Sequence, residues 1–434
     1  MLSNDRLNLV YLVLLYGALG LGGSAFSVLV IGAVIFSSVK LVIGRLPDGR
    51  QLLIGSFAIA GVGYYASGLL MIATHPADAG NYPLAVERLL FVGILPLFLQ
   101  IALLDKDRLI DALEVGAAVG AAGVAGWAAW EWSAYTAQFS DFRVSGAPGN
   151  PGPYGTSCGI LLAICMIGAI RSTTVHRRVV LFSGAVLSSF GLMLSGMRTI
   201  YPLLLIIPII GYYYFGYNSI AIRSRYRIFL VVISFLLITL GGFVALSRVT
   251  LLLSMVGESG LEPSATNSLG QRIALLICAQ EGFLTAPLLG MGRDGAYAFM
   301  AHCTQNLIGE PLMFSHFHNA LATAAVFGGL VEISATVALL LVPLYWCWRY
   351  RRNPEARYGV VLILSTLSIY GLNGAANLML GHDIHDALFV HIMTVGFVLL
   401  AGGKVAQGAA KSKASASDEA GRCATAETGR GRVS

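Results

Sequence analysis

Six arginines stand apart from the other basic residues of this 434-residue chain, which carries 28 Lys and Arg in total. All of the lysines and the other arginines fall in segments that alternate along the chain between apolar runs. Cytoplasmic flanks collect Lys and Arg, so these segments are assigned to one face of a membrane. The six exceptions lie on the opposite, outer face: Arg88, Arg143, Arg198, Arg248, Arg272 and Arg293. Because the arginine fork suits phosphate oxygens, they predict an anionic ligand on that face.

Two of these arginines have neighbours that favour ligand binding. Arg198 follows Ser195, Gly196 and Met197, and the small residues allow a ligand to approach the backbone closely. The alternative is an arginine that extends to the lipid headgroups. Arg272 lies in the first turn of a predicted surface helix, where an anion would meet free N–H groups as well as the guanidinium. The alternative there is an ordinary solvated helix face.

A histidine motif precedes a later apolar run, in the order His316, Phe317, His318 and Asn319. Histidine titrates near neutral pH and can act as a general base, although a lone histidine of this kind is usually structural. Residues two positions apart do not share a helical face, so the two histidines form a poor zinc pair unless the backbone is extended.

Two further motifs have weaker implications. The segment 290–294 contains Gly290, Gly292 and Arg293 and predicts a turn, but it lacks the strand and lysine of a phosphate-binding loop. The segment 382–386 contains Asp383 and Asp386 together with two histidines, and it could bind metal, contact sugar hydroxyls or form an exposed loop.

The elements that position these residues are predicted to be membrane helices. The chain is 56% hydrophobic and 12% charged, with mean hydropathy +0.75, which excludes an ordinary soluble domain. Runs of about 20 apolar residues predict spans. Twelve are expected: 7–24, 25–43, 52–73, 84–104, 109–135, 155–170, 179–196, 200–217, 228–246, 320–346, 358–378 and 386–403. Both termini would then be cytoplasmic. Residues 1–403 form one domain, and the tail 404–434 is expected to be disordered.

The long outer loop at about 247–319 is expected to carry two short surface helices. Asn267 and Ser268 can cap the first, which would begin near Leu269 and end before Pro287. Its apolar face would hold Leu276, Ala279 and Phe283. The second is expected around 304–307. The six cysteines form no C-x-x-C pair, so we expect neither a disulfide framework nor a thiolate zinc site. The basic residues do not interleave with exposed aromatics, so no nucleic-acid partner is expected.

The motifs, taken in order, resemble those of the O-antigen ligase family, which shares its core with O-antigen polymerases and bacterial O-oligosaccharyltransferases. The resemblance covers about residues 140–330. The matching residues are Arg143-Val144-Ser145-Gly146, Gly149-Asn150-Pro151, Ser195-Gly196-Met197-Arg198, Gln271-Arg272, Ala286-Pro287-Leu288-Leu289-Gly290-Met291-Gly292 and His318-Asn319-Ala320-Leu321.

This resemblance implies a membrane glycosyltransferase of the GT-C type in the bacterial inner membrane, with a periplasmic active site. It would transfer polysaccharide from undecaprenyl pyrophosphate to the lipid A–core oligosaccharide. The chemistry of the residues adds two expectations: arginines can stabilise the leaving group without a metal or cofactor, and attack from the opposite face inverts the anomeric centre. Arg198 and Arg272 correspond to the family's essential arginines, which would bind the donor pyrophosphate, and His318 to its essential histidine. Supporting contacts are expected from Arg88, Arg143, Arg293, His316, Asp383 and Asp386. Besides the two substrates, membrane lipids are the expected partners.

Three alternatives stay open at this point. A polymerase would use the same arginines and base with another carrier-linked glycan as acceptor. A protein O-oligosaccharyltransferase usually carries a further soluble domain after its last span, whereas the tail here is short and basic. A lipid or anion transporter would place its arginines near the membrane midplane, on broken helices.

Overall fold

The computed structural model describes residues 4–21, 24–43, 52–135, 142–147, 149–216 and 262–401. Throughout these ranges the regular structure is helical, without a strand. The helices are α1 (Asn4–Leu21), α2 (Ala25–Val42), α3 (Leu52–Thr74), α4 (Asn81–Arg88), α5 (Ile94–Ile101), α6 (Lys106–Ala134), α7 (Pro151–Arg171), α8 (Val175–Leu194), α9 (Leu203–Gly211), α10 (Ser268–Thr285), α11 (Arg293–Ile308), α12 (Ala320–Tyr350), α13 (Arg357–Gly374) and α14 (Asp383–Leu400).

Nine stretches within the described ranges are long and apolar enough to cross a membrane, and α1 adds a shorter apolar helix. The chain is therefore an all-α, multi-pass membrane protein. Each predicted span that falls within the described ranges coincides with a helix, and the span at 84–104 is made of α4 and α5 joined by a 3-10 turn. The predicted span at 228–246, Arg248 and the tail 404–434 lie outside the described residues.

Two central helices, α7 and α14, are almost wholly buried, and the others surround them. Helix α7 packs against α6, α8 and α13, while α14 packs against α2, α5 and α13. The start of α7 follows from its sequence: the Asn150 side chain accepts a hydrogen bond from the amide of Gly152 at 2.9 Å, and Pro151 occupies the first helical position. This helix start fixes the end of the 142–150 loop at one end of the bundle.

Glycines allow α1 and α6 to approach closely. A Cβ added at Gly20 would lie 2.4 Å from the carbonyl oxygen of Gly120 and 2.8 Å from the Cα of Gly123. A Cβ at Gly116 would likewise meet Tyr16 at 2.8 Å. Because lipid supplies no hydrophobic driving force between helices, such small-residue contacts gain packing from backbone proximity.

Helix α12 is broken at Gly329, whose φ of 63° and ψ of −151° are not helical. The loop that precedes α11 fills the break. The amides of Met291 and Gly292 donate to the carbonyls of Val326 and Phe327 at 2.8 and 3.0 Å. In the other direction, the amide of Leu330 donates to the carbonyl of Pro287 at 2.8 Å. The backbone groups freed by the break are thus paired inside the apolar region, where an unpaired group would cost several kcal/mol.

The first surface helix begins as the sequence predicts, because the Asn267 side chain accepts from the amide of Gly270 at 2.7 Å and caps α10. Its predicted apolar face was wrong in part. Ala279 is buried as predicted, but Leu276 is exposed. The buried face also contains Leu275 and Cys278, and it packs towards α11 and α12. The helix therefore packs on protein along this face.

The second surface helix is longer than predicted, since α11 begins at Arg293 and ends at Ile308. The expectation of no disulfide was also wrong. Cys278 of α10 is bonded to Cys303 of α11, with their Cα atoms 5.8 Å apart. A separation of 25 residues carries no sequence signal of pairing, and only the packing of the two helices brings the cysteines together. Cys158, Cys165 and Cys347 are free and buried.

The end of the bundle opposite to these surface helices carries interhelical ion pairs. Arg171 at the end of α7 and Arg177 at the start of α8 both pair with Glu114 of α6, and Arg177 also pairs with Asp111. The basic residues of this end therefore anchor helices to one another.

Candidate functional site

The segment before α12 holds its two histidines around a buried anchor. Asn319 caps α12 through the amide of Ala322 at 2.9 Å, and the Phe317 side chain is buried. His318 has a φ of 50°, the one positive φ of a non-glycine residue in the described part of the chain. This conformation places the rings of His316 and His318 4.6 Å apart, on the same side of the backbone. The two imidazoles therefore form a pair.

The two histidines differ in how they are held. His316 is fixed at both ring nitrogens: Nε2 lies 2.8 Å from Oδ1 of Asn377, and Nδ1 lies 3.1 Å from Oγ of Ser315. His318 packs its ring against Phe314 at 4.7 Å. Its Nδ1 has no hydrogen-bond partner among the described residues. His318 is therefore the histidine that has a ring nitrogen to offer to a ligand.

Burial and positive neighbours keep the pair neutral. Burial, together with the positive charges that His316 and Arg272 can carry, lowers the pKa of His318 to about 4. The pKa of His316 is also lowered, first by burial, although its hydrogen bond to Asn377 opposes the shift. At neutral pH both imidazoles are therefore uncharged, as a proton acceptor must be.

Arg272 acts electrostatically on both histidines, and Arg143, from another segment, acts on Arg272. Arg272 lies in the first turns of α10, and desolvation together with the charge of Arg143 lowers its pKa. Arg143 lies in the 142–147 segment, which is tied to the end of α8 by a 2.9 Å hydrogen bond from the Val144 amide to the Leu194 carbonyl. Because the charge of Arg143 disfavours the charged form of Arg272, an anion bound there would relieve the repulsion.

Arg198 follows α8 immediately, in a 3-10 turn over Arg198–Ile200. The turn depends on Gly196, whose φ of 68° suits glycine and whose Cα faces Arg143, so that an added Cβ would lie 3.0 Å from the Arg143 side chain. Arg198 itself is exposed. The small residue that the sequence marked thus permits the close approach of the segments that carry Arg143 and Arg198. Arg272 acts on both histidines and is itself affected by Arg143, which Gly196, two residues before Arg198, approaches closely. We therefore name Arg143, Arg198, Arg272, His316 and His318 the arginine–histidine cluster.

Arg293 has a different environment. Its Nε donates to the hydroxyl of Tyr297 at 2.8 Å, and that hydroxyl donates to the carbonyl of Ser315 at 3.1 Å. The glycines before it, Gly290 and Gly292, have positive φ but their loop is not a phosphate cradle. The amides of Met291 and Gly292 are already used at the break in α12. The turn therefore serves to close the broken helix and to start α11.

The start of α11 is fastened to the α3–α4 turn by side chains. The Arg293 amide donates to Oδ1 of Asn81 at 3.0 Å, and the Asp294 amide donates to Oδ2 of Asp78 at 2.8 Å. A carboxylate at a helix N-terminus satisfies free amides and matches the helix dipole. This contact holds Arg293 beside the outer end of α4, next to Glu87.

Arg88 is buried rather than free at the membrane surface, with 1% of its surface exposed. It donates to Ser67 Oγ at 2.9 Å, forms an ion pair with Glu332 of α12, and lies over the ring of Tyr64 at 4.4 Å. Since Glu332 neutralises it, Arg88 does not offer a free positive charge to phosphate. Glu332 was not predicted as a site residue from the sequence, although a lone carboxylate within an apolar run is a signal for a functional or paired residue.

A cleft of about 340 Å³ lies above this ion pair, between α3, α4, α12 and the turn before α14. We name it the polar cleft. Both ionic and aromatic side chains line it, among them Glu87, Arg88, Arg293, Glu332, Asp383 and Tyr297. Ser315 also lines the cleft and touches His316, so the cleft adjoins the arginine–histidine cluster.

The turn before α14 divides the two aspartates that the sequence grouped together. Asp383 lines the cleft, 3.0 Å from Nδ1 of His382, and this contact raises the pKa of His382. Asp386 is buried and accepts from the Gly381 amide at 2.9 Å, so it shapes the turn and is not brought to the cleft. Within the described ranges, no three His, Cys, Asp or Glu side chains are grouped to hold a metal ion.

Comparison of the chain with protein-family models found no match, and comparison with curated proteins found none either.

Proposed function

We propose that the protein is a membrane-embedded glycosyltransferase of the O-antigen ligase type, which moves a polysaccharide from undecaprenyl pyrophosphate to the lipid A–core oligosaccharide. The observation that carries this proposal is a neutral histidine pair beside Arg272, which has Arg143 as its own positive neighbour. A proton acceptor beside clustered guanidinium groups suits a reaction in which a hydroxyl attacks and a pyrophosphate departs.

The chemistry assigns one role to each group. The acceptor hydroxyl oxygen attacks the anomeric carbon of the donor sugar, and His318 takes the hydroxyl proton. The bond from that carbon to the pyrophosphate oxygen breaks, and the departing oxygen keeps the electron pair. Arg198 and Arg272 stabilise the negative charge that develops on it, through paired hydrogen bonds. Attack from the face opposite to the leaving group inverts the anomeric centre.

The proposed topology has twelve spans, cytoplasmic termini and a periplasmic site in the inner membrane. Two observations support it. The Cys278–Cys303 disulfide lies in the surface helices next to the site, and disulfides persist in oxidising compartments such as the periplasm. The ion pairs of Arg171 and Arg177 lie at the other end of the bundle, where the positive-inside rule expects basic residues.

A deletion strain tests the function. Loss of a ligase leaves lipopolysaccharide without polymer while carrier-linked polymer accumulates, and a plasmid copy of the gene restores the polymer. Loss of a polymerase would instead leave single repeat units on the core, and loss of a protein transferase would leave lipopolysaccharide intact. Unchanged lipopolysaccharide and unchanged carrier-linked glycan would reject all the carrier-dependent functions, whether ligase, polymerase or protein transferase.

A further inference from the structure

The polar cleft contains buried polar atoms that the protein does not satisfy. Arg88 and Glu332 are 1% and 4% exposed, and both line the cleft. Their ion pair uses one oxygen of Glu332, and neither its Oε2 nor Nε of Arg88 has a partner among the described residues. Oε2 of Glu87 is also buried without a hydrogen-bond partner among the described residues. Because buried polar groups in proteins are nearly always hydrogen-bonded, these atoms require polar partners from outside the protein, either water or the hydroxyls of a ligand.

The charges of the cleft select the class of that ligand. Glu87, Glu332 and Asp383 bring three carboxylates against the guanidinium groups of Arg88 and Arg293. A phosphate would meet these carboxylates, whereas the arginine–histidine cluster next to it offers clustered positive charge. A neutral sugar suits the mixed set, since each hydroxyl both donates to a carboxylate and accepts from an arginine.

The volume of the cleft and its aromatic lining are suited to binding a sugar ring. Its volume of about 340 Å³ is at the lower end of small-ligand sites. Tyr64, Tyr297 and Phe327 line it and provide apolar surface for the C–H faces of a sugar ring.

The position of the cleft separates the acceptor from the donor. His316 stands between the two regions, since its Nδ1 contacts Ser315 of the cleft and its ring lies 4.6 Å from that of His318. Arg272 and Arg143 belong to the arginine–histidine cluster, to which the proposed function assigns the pyrophosphate. A base that removes the acceptor proton must reach a hydroxyl on the side away from the leaving group.

We propose that the polar cleft binds the terminal, uncharged sugar of the acceptor, with Glu87, Arg293 and Asp383 as the residues that recognise its hydroxyls. The identification of this sugar as part of the acceptor rests on the proposed function. The binding of a neutral sugar in the cleft can be measured without turnover.

Two measurements on the purified full-length protein test the proposal. The first is binding, by saturation-transfer NMR, of a phosphate-free core oligosaccharide that has been released from lipid A. The second is steady-state transfer, with separate KM values for acceptor and donor. The variants are Glu87→Gln and Asp383→Asn, which keep side-chain size but remove the charge. The matched control is Glu310→Gln, an exposed glutamate beyond α11 that does not line the cleft.

We expect each cleft variant to weaken oligosaccharide binding and raise the acceptor KM by about tenfold or more, as loss of a charged hydrogen-bond partner does. The donor KM should stay within about twofold, and the control should resemble the wild type. Inorganic pyrophosphate should not displace the oligosaccharide. Thermal unfolding midpoints confirm that each variant is folded.

Other outcomes would overturn the proposal. A raised donor KM with an unchanged acceptor KM would assign the cleft to the donor sugar. Displacement of the oligosaccharide by pyrophosphate would make the cleft an anion site. Binding that is equal in all variants would remove the cleft from sugar recognition. If the wild type binds the oligosaccharide through these residues yet transfers nothing, the proposed function fails and the sugar site stands.

Discussion

The rings of His316 and His318 lie 4.6 Å apart although one residue separates them, and a left-handed conformation at His318 makes this possible. Phe317 turns into the core between them. His316 is restrained by Asn377, whereas His318 keeps a ring nitrogen without a partner among the described residues. The pair thus consists of one fixed imidazole and one that can exchange a proton with a ligand.

The first prediction concerns the roles of the two histidines. His318→Ala should lower kcat by about 10²–10⁴-fold, the usual contribution of general-base catalysis, and leave donor binding intact. His316→Ala should retain much more activity, because it removes a neighbour of the base and not the base. Transfer kinetics and donor binding of both variants decide the point. The opposite ranking would move the role of base to His316.

The second prediction is a pH profile. In the proposed mechanism the neutral form of His318 is the active form, and a pKa of about 4 leaves it neutral at every pH above about 5. The profile of kcat/KM, which reports the free enzyme, should therefore be level from about pH 8 to about pH 5 and fall only below that. A fall centred near about 6.5, the ordinary histidine value, would show that the base is a histidine that is neither buried nor close to positive charge.

A third prediction separates positive charge from geometry in the arginines. Arg198→Lys and Arg272→Lys keep the charge but lose the two-pronged hydrogen bonding, so each should reduce kcat/KM by about tenfold or more. The alanine variants should have a still lower kcat/KM. Arg352→Lys, at an exposed position in the turn after α12, is the matched control and should behave as wild type. Full activity in both lysine variants at the site would refute bidentate recognition of the pyrophosphate.

The fourth prediction tests the broken helix. Gly329→Ala would place a Cβ 2.5 Å from the carbonyl carbon of Leu288, at a backbone conformation that only glycine adopts readily. Strain and overlap should each cost about 1–3 kcal/mol and displace the loop that positions Arg293. Gly371→Ala, in α13, meets no atom within 4 Å and should be neutral. Thermal unfolding of the two variants in detergent gives the comparison, and equal midpoints would show that the loop does not depend on the break.

The sequence predicted the helices and the cap of α10 because both depend on local signals. Long apolar runs specify spans, and Asn267 before an apolar period specifies a helix start. The sequence also marked Gly196, which the structure packs against Arg143. These features need no knowledge of which helices are neighbours.

The features that sequence reasoning missed depend on contacts between distant segments. The Arg88–Glu332 pair joins residues 244 positions apart, and the Cys278–Cys303 bond needs α10 and α11 side by side. The break in α12 falls at Gly329, and it is stable only because the 286–292 loop supplies hydrogen bonds. The local sequence around one partner of such a contact does not identify the other partner.

The most direct test of the central claim is transfer by the purified protein in proteoliposomes. The reaction contains undecaprenyl pyrophosphate-linked polysaccharide and lipid A–core, with excess EDTA, because arginines are proposed to stabilise the leaving group in place of a metal. We predict that polymer appears on lipid A–core, that undecaprenyl pyrophosphate is released in equal amount, and that His318→Ala slows both by about 10²–10⁴-fold. Absence of transfer by the folded wild type, or activity that EDTA removes and Mg²⁺ restores, would contradict the account.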